Sequence, residues 1–178
     1  MTPLPPPLEH AAALVAWRLD AAEYAAGWDS GIGAQRQGGR WNPRGMKAVY
    51  CSFDPATCIL EAAVHRGFEV LDTRAHTLTS FAVANAAAIH VVRPQDIPNP
   101  AWLHGGIPSA GQQHFGAELL GRHGFVAFPS AVSKLSWNLV FMAGVAAARY
   151  SLRSQERLVL DTRLNPAPAS APKVSPRK

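Results

Sequence analysis

The chain has 178 residues, 48% hydrophobic and 16% charged, which is enough apolar material to close one core and too little charge for the body to stay unfolded by self-repulsion. No stretch reaches the roughly 18 apolar residues of a membrane span. The proline-rich start Met1 to Glu9 also lacks the basic-then-apolar pattern of a secretory signal, so the expected compartment is the cytoplasm.

The formal net charge is +5, but Lys173, Arg177 and Lys178 fall within the last six positions. The remaining basic residues are scattered and nearly balanced by acidic ones. They form no phosphate-tracking stripe, so direct nucleic-acid binding is not expected. Eight of the 15 prolines lie in Met1 to Leu8 and Asn165 to Lys178. This predicts a flexible segment over 1–8, one domain over 9–164 and a proline-rich basic tail over 165–178.

Within that domain, Leu14 to Leu19 forms a short apolar segment, followed by a glycine-rich loop from Gly27 to Gly45. Ala48 to Ser52 reads as a strand. Asp54-Pro55 is an N-cap with proline at the first helical position, predicting a helix over Pro55 to His65 that Gly67 ends. Thr77 to Ala84 and Ala87 to Val92 read as strands. Gln112 to Arg122 reads as a second helix, with Phe115, Leu119 and Leu120 on one side and His123-Gly124 as its stop. Phe125 to Phe128, Trp137 to Phe141 and Leu158 to Asp161 complete a strand-rich second half. Few helices and many short strands without regular alternation predict an α+β fold.

Several common chemistries are missing from this pattern. There is no phosphate-binding GxxxxGK[ST] loop, and Gly31-Ile32-Gly33 lacks the third glycine and the preceding strand of a dinucleotide fingerprint. Seven histidines occur at no metal-ligand spacing with a carboxylate or cysteine, and Cys51 and Cys58 are separated by six residues, so no metal is expected and both thiols read as small buried hydrophobes. The segment Gly38-Gly39-Arg40-Trp41-Asn42-Pro43-Arg44-Gly45 carries more chemistry. Its glycines permit close backbone approach, and they flank a guanidinium able to grip a phosphate. Tyr50 follows on a strand. Glu61 follows on a helix whose neighbours Ile59, Leu60, Ala62, Ala63 and Val64 are apolar, where a carboxylate must find a partner, His65 or Arg40 being the nearest candidates.

The order GGRWNPRG, Tyr50-Cys51-Ser52, Ile59-Leu60-Glu61-Ala62, Phe128-Pro129-Ser130-Ala131-Val132 and Asn138 resembles the RES domain, named for its arginine, glutamate and serine. Trp17-Arg18 and Leu160 to Leu164 resemble that family's opening and closing segments. The resemblance implies a single α+β domain similar to ADP-ribosyltransferases, acting as the toxin of a bacterial toxin–antitoxin pair. It also implies NAD as substrate rather than resident cofactor, an Xre-type helix-turn-helix antitoxin as partner, and a possible homodimer within the complex. Carried over by position, the family arginine is Arg40, the tyrosine Tyr50, the glutamate Glu61 and the serine Ser130, with Ser133 the alternative. Arg40, Glu61 and Ser130 are then the expected catalytic groups; Arg40, Tyr50, Trp41, Asn138 and Ser133 are the expected substrate-binding ones. The chain departs from the family where Asn138 is followed by Leu-Val-Phe-Met-Ala-Gly instead of a nearby Asn-Pro. The implied reaction cleaves the nicotinamide–ribose bond of NAD; the alternatives are mono-ADP-ribosylation of a protein and non-catalytic nucleotide or partner binding.

Overall fold

A computed structural model describes residues 14–106 and 108–161. The expected terminal segments 1–8 and 165–178, and the boundaries at 9 and 164, lie outside the described residues. The described chain is built on one seven-stranded sheet: β1 (Leu14–Ala21), β2 (Val49–Ser52), β3 (His76–Val83), β4 (His90–Val91), β5 (Phe125–Pro129), β6 (Trp137–Phe141) and β7 (Tyr150–Leu158), in the spatial order β4-β5-β6-β2-β1-β3-β7. All neighbours run antiparallel except β4 and β5. Helices α1 (Ile32–Gln37), α2 (Pro55–Arg66), α3 (Phe68–Thr73) and α4 (Ala110–Arg122) complete an α+β architecture, the class expected from the sequence.

Local chemistry sets the ends of α2. The Asp54 carboxylate accepts from the Thr57 N–H at 2.7 Å, Pro55 occupies the first turn, and Gly67 stops the helix at φ +83°. Elsewhere tertiary context overrides the sequence pattern. The expected loop Gly27 to Gly45 contains α1, and Ala22–Gly27 just before it is a 3-10 segment. The expected strand Ala87 to Val92 shrinks to His90–Val91, because the Asn85 side chain accepts from the Ala87 N–H and curls Ala86–Ala88 into a 3-10 turn. The last strand is not Leu158 to Asp161 but Tyr150–Leu158, paired along its length with β3.

Alternation along the strands separates the two faces of the sheet. Leu14, Ala16, Val49, Cys51, Phe81, Phe125, Leu139 and Phe141 pack on one face, closed by Trp28 at 4.9 Å from the Phe81 ring. On the other face Trp41, Val126, Phe128, Val140 and Leu120 form one buried cluster, and Leu19, Cys58, Ala63 and Leu71 form a second. Between these clusters run the polar side chains of Ser52 and Asn138, opposite each other in the β2–β6 register. The sheet is weakest nearby: β1 and β2 meet at a single paired position, Trp17 opposite Ser52. Arg18 reinforces this junction, donating to the Tyr50 carbonyl at 2.8 Å while its guanidinium pairs with buried Asp20 at 2.7 Å.

Both cysteines are buried and free, as the sequence suggested. Burial pushes the Cys58 thiol up to about 12 and raises that of Cys51 as well, leaving both protonated at neutral pH. At the far edge His90 and His123 stack, ring centroids 4.2 Å apart. Burial, followed by the neighbouring His123, holds the His90 imidazole below its ordinary pKa, against the opposing pull of Asp96. A base depressed on folding contributes stability that is complete above its unfolded pKa and lost as pH falls through the folded value. The melting temperature should therefore drop as pH is taken below about 6.5, and His90→Gln should remove part of that drop in melts recorded across the range.

Candidate active site

Glu61 lies on α2 above the polar seam, and one of its oxygens collects two donors from the strands beneath. Ser130 Oγ donates to Glu61 Oε1 at 2.8 Å and Asn138 Nδ2 donates to the same oxygen at 2.5 Å. Both donors have fixed directions. Ser130 Oγ already accepts from the N–H groups of Val132 (3.2 Å) and Ser133 (3.0 Å), so its own proton is left for Glu61. Ser130 is buried at the end of β5, and Pro129 immediately before it is the last residue of that strand.

These contacts distinguish the two candidate serines. Ser133 turns its hydroxyl to Ser136 at 2.7 Å and reaches Ser130 only through its backbone N–H; the serine that touches the carboxylate is Ser130. Asn138, expected to bind substrate, donates directly to the Glu61 carboxylate. The partners expected for Glu61 were His65 and Arg40. His65 is exposed instead, and no ion pair to Glu61 exists among the described residues. Glu61 is thus anchored by neutral groups and its charge is not cancelled.

The GGRW loop supplies the second half. Arg40 Nη1 donates to the backbone carbonyl of Trp102 and, at 3.4 Å, to that of His104. Its partners are carbonyls rather than carboxylates, so its charge is also uncancelled by an acid among the described residues. Trp41, expected to contact substrate, is 2% exposed and stacks on Phe128 with centroids 4.2 Å apart and planes 8° apart. This packing pins the residue next to Arg40 in the core. Gly39 is in close approach to side chains of the protein itself. A Cβ on Gly39 would collide with the Tyr50 hydroxyl and come within 2.7 Å of Asn42 Oδ1, so this close approach is internal.

Tyr50 is half-buried and knits that loop together. Its hydroxyl accepts from the Trp41 N–H at 3.0 Å and donates to Asn42 Oδ1 at 2.7 Å. The amide of Asn42 in turn donates to the carbonyls of Ala34, Pro43 and Met46. Burial raises the Tyr50 pKa above that of an ordinary phenol, outweighing the Trp41 bond and the charge of Arg40, which keeps the hydroxyl neutral and donating. Tyr50→Phe should cost about 1–3 kcal/mol by leaving two buried groups unpartnered. Denaturant unfolding of the folded variant measures that loss.

Sequence reasoning missed two residues. Ser52, buried, donates to Asn138 Oδ1 at 2.8 Å, and Arg18 clamps the neighbouring strand. A hydroxyl or arginine on a strand has no local signal of such a role; only the β2–β6 and β1–β2 registers bring them here. A recess of about 150 Å³ is lined by Pro94, Trp102, Leu103, Lys134 and Ser130, the serine that bonds Glu61. Among the described residues no cluster of three or more His, Cys, Asp or Glu is arranged to hold a metal ion, and no helix is long and apolar enough to cross a membrane.

Comparison with known proteins adds an independent line. Toxin Res of Photorhabdus laumondii subsp. laumondii is 36% identical over 70 residues, 39% of this chain and 41% of that protein; the matched stretch is less than half of either. A chain of the crystal structure of the M. tuberculosis MbcT–MbcA toxin–antitoxin complex superposes with a TM-score of 0.67 over 83% of this chain and 85% of its own length, at 24% identity. At that identity the likeness is one of fold, an α+β domain. The RES domain profile matches residues 15–161, which is nearly all of the described body and includes Arg40, Glu61 and Ser130, and this chain therefore belongs to the RES domain family.

Proposed function

We propose that this chain is the toxin of a toxin–antitoxin pair and depletes NAD by cleaving its nicotinamide–ribose bond. The observation that carries this reading is a pair of charges of opposite sign that no ion pair cancels among the described residues, Glu61 held by neutral donors and Arg40 held by backbone carbonyls, whose partners Ser130 and Trp102 line one recess. NAD has the matching polarity, with a cationic nicotinamide riboside at one end of an anionic pyrophosphate. Membership of the family, the toxin name of the Photorhabdus relative and the toxin–antitoxin complex of the structural neighbour support the same reading.

On this reading Arg40 binds pyrophosphate and Tyr50 lies against nicotinamide. Glu61 stabilises the positive charge that develops on the ribose as the bond breaks. Nicotinamide leaves as a neutral base from a cationic pyridinium and needs no proton, so one carboxylate suffices where ordinary glycoside hydrolysis needs two. With water as acceptor the enzyme is a glycohydrolase yielding ADP-ribose, with phosphate a phosphorylase, and with a protein side chain a mono-ADP-ribosyltransferase. The partner is a helix-turn-helix antitoxin of Xre type whose segment enters the site near Arg40 and excludes NAD.

Incubating the purified protein with NAD and following free nicotinamide tests the reading, and the mass of the co-product identifies the acceptor. Arg40→Ala should raise KM for NAD by about tenfold or more, since a charge-assisted phosphate contact is lost. An NAD pool that stays intact over hours would overturn the reading.

A further inference from the structure

The Asn138 side chain has two ends, and only one of them faces the carboxylate. Glu61, when ionised, can only accept, so the NH₂ group of Asn138 must point towards it and the carbonyl oxygen must point away. That oxygen lies 2.8 Å from Ser52 Oγ, and Ser52 is 2% exposed. A hydroxyl donating there anchors the amide in the productive orientation, while the reversed one would set the amide oxygen against the Glu61 carboxylate. Ser52 and Asn138 face each other across adjacent antiparallel strands, a rigid placement. The order of donation is therefore continuous: Ser52 to Asn138, Asn138 to Glu61, with Ser130 donating to Glu61 from the other side.

We propose that Ser52 is a positioning residue for the reaction, acting through the Asn138 amide to hold Glu61 in place. This rests on the NAD-cleaving reading for its catalytic consequence. Ser52 reaches no reacting atom; its influence passes through the amide alone. Two features follow from that. Its loss should lower kcat and leave KM nearly untouched, because the pyrophosphate contact at Arg40 is separate. Its loss should also matter only while Asn138 is present, since residues acting in series do not add.

The test uses the full chain in four forms: wild type, Ser52→Ala, Asn138→Ala and the double variant, with Ser52→Thr as a fifth that keeps the hydroxyl. Each is checked for folding by its melting temperature. The expected result is a fall in kcat of about tenfold for Ser52→Ala, the scale of one buried acceptor left unmet. KM should stay within about twofold, no further loss should appear in the Asn138→Ala background, and Ser52→Thr should regain most of the rate. An unchanged kcat in folded Ser52→Ala, or an equal loss with and without Asn138, overturns the proposal. The side-chain amide proton signals of Asn138, recorded by NMR in wild type and Ser52→Ala, provide a readout independent of turnover. They should move or split when the hydroxyl is removed, and unchanged signals would overturn the relay. If wild type spares NAD while those signals respond, the functional reading fails and the positioning of the amide stands.

Discussion

Glu61→Gln should abolish NAD cleavage, by about 100-fold or more in kcat, while the protein keeps its fold. The substitution preserves shape and removes the one full negative charge that the site holds uncancelled, and a preorganised charge facing a developing cation is commonly worth several kcal/mol of transition-state stabilisation. A glutamine oxygen can still accept from Ser130 and Asn138, so the anchoring bonds have a partner and the melting temperature should change little. Nicotinamide release and thermal melting on one preparation decide the matter. Retained turnover in a folded Glu61→Gln protein would remove Glu61 from the chemistry and leave it a structural acceptor.

The largest effect on stability should come from Gly116→Ala, a substitution that ordinarily favours a helix. Gly116 lies in α4, where a Cβ would run into the backbone oxygen of Trp41 and stand 2.7 Å from its Cα. Backbone cannot rotate away as a side chain tip can, so either the helix or the GGRW loop must move. Trp41 is also stacked on Phe128, which blocks retreat of the loop. Overpacking of this kind costs roughly 1–3 kcal/mol and occasionally more, against the total of about 5–15 kcal/mol typical of a domain. Denaturant unfolding gives the number directly. A stability equal to wild type would mean that the helix and the loop are free to separate, and Trp41 would lose its standing as the pinned neighbour of Arg40.

What the sequence revealed and what it concealed divide along a physical line. The helix containing Glu61 was legible because its signals are local: an Asp54 cap, Pro55 and a terminal Gly67 act within a few residues of one another. Glu61 stood out because a carboxylate amid apolar neighbours demands a partner. The identity of that partner was not legible, because Ser130 and Asn138 are 69 and 77 residues away and meet it only through the sheet. The strand Tyr150–Leu158 was missed for a related reason: its exposed, largely polar sequence lacks alternation, and its order comes from pairing with β3. The packing of Trp41 was not legible because an aromatic beside glycines and an arginine has the same composition whether it faces a base or, as here, the ring of Phe128.

The junction between β1 and β2 gives this sheet a mechanical character that its strand count hides. With one paired position and a guanidinium clamp, the ladder between the leaves β4-β5-β6-β2 and β1-β3-β7 is the shortest antiparallel one in the sheet, and side chains carry the join instead. The buried cluster on one face runs from Leu14, Ala16 and Phe81 to Val49, Leu139 and Phe141 and so crosses the junction. The antiparallel ladders inside each leaf are longer. Ser52 is one half of the single pair and also the donor to Asn138, so the backbone contact that joins the leaves and the chain of bonds that ends on Glu61 share one residue.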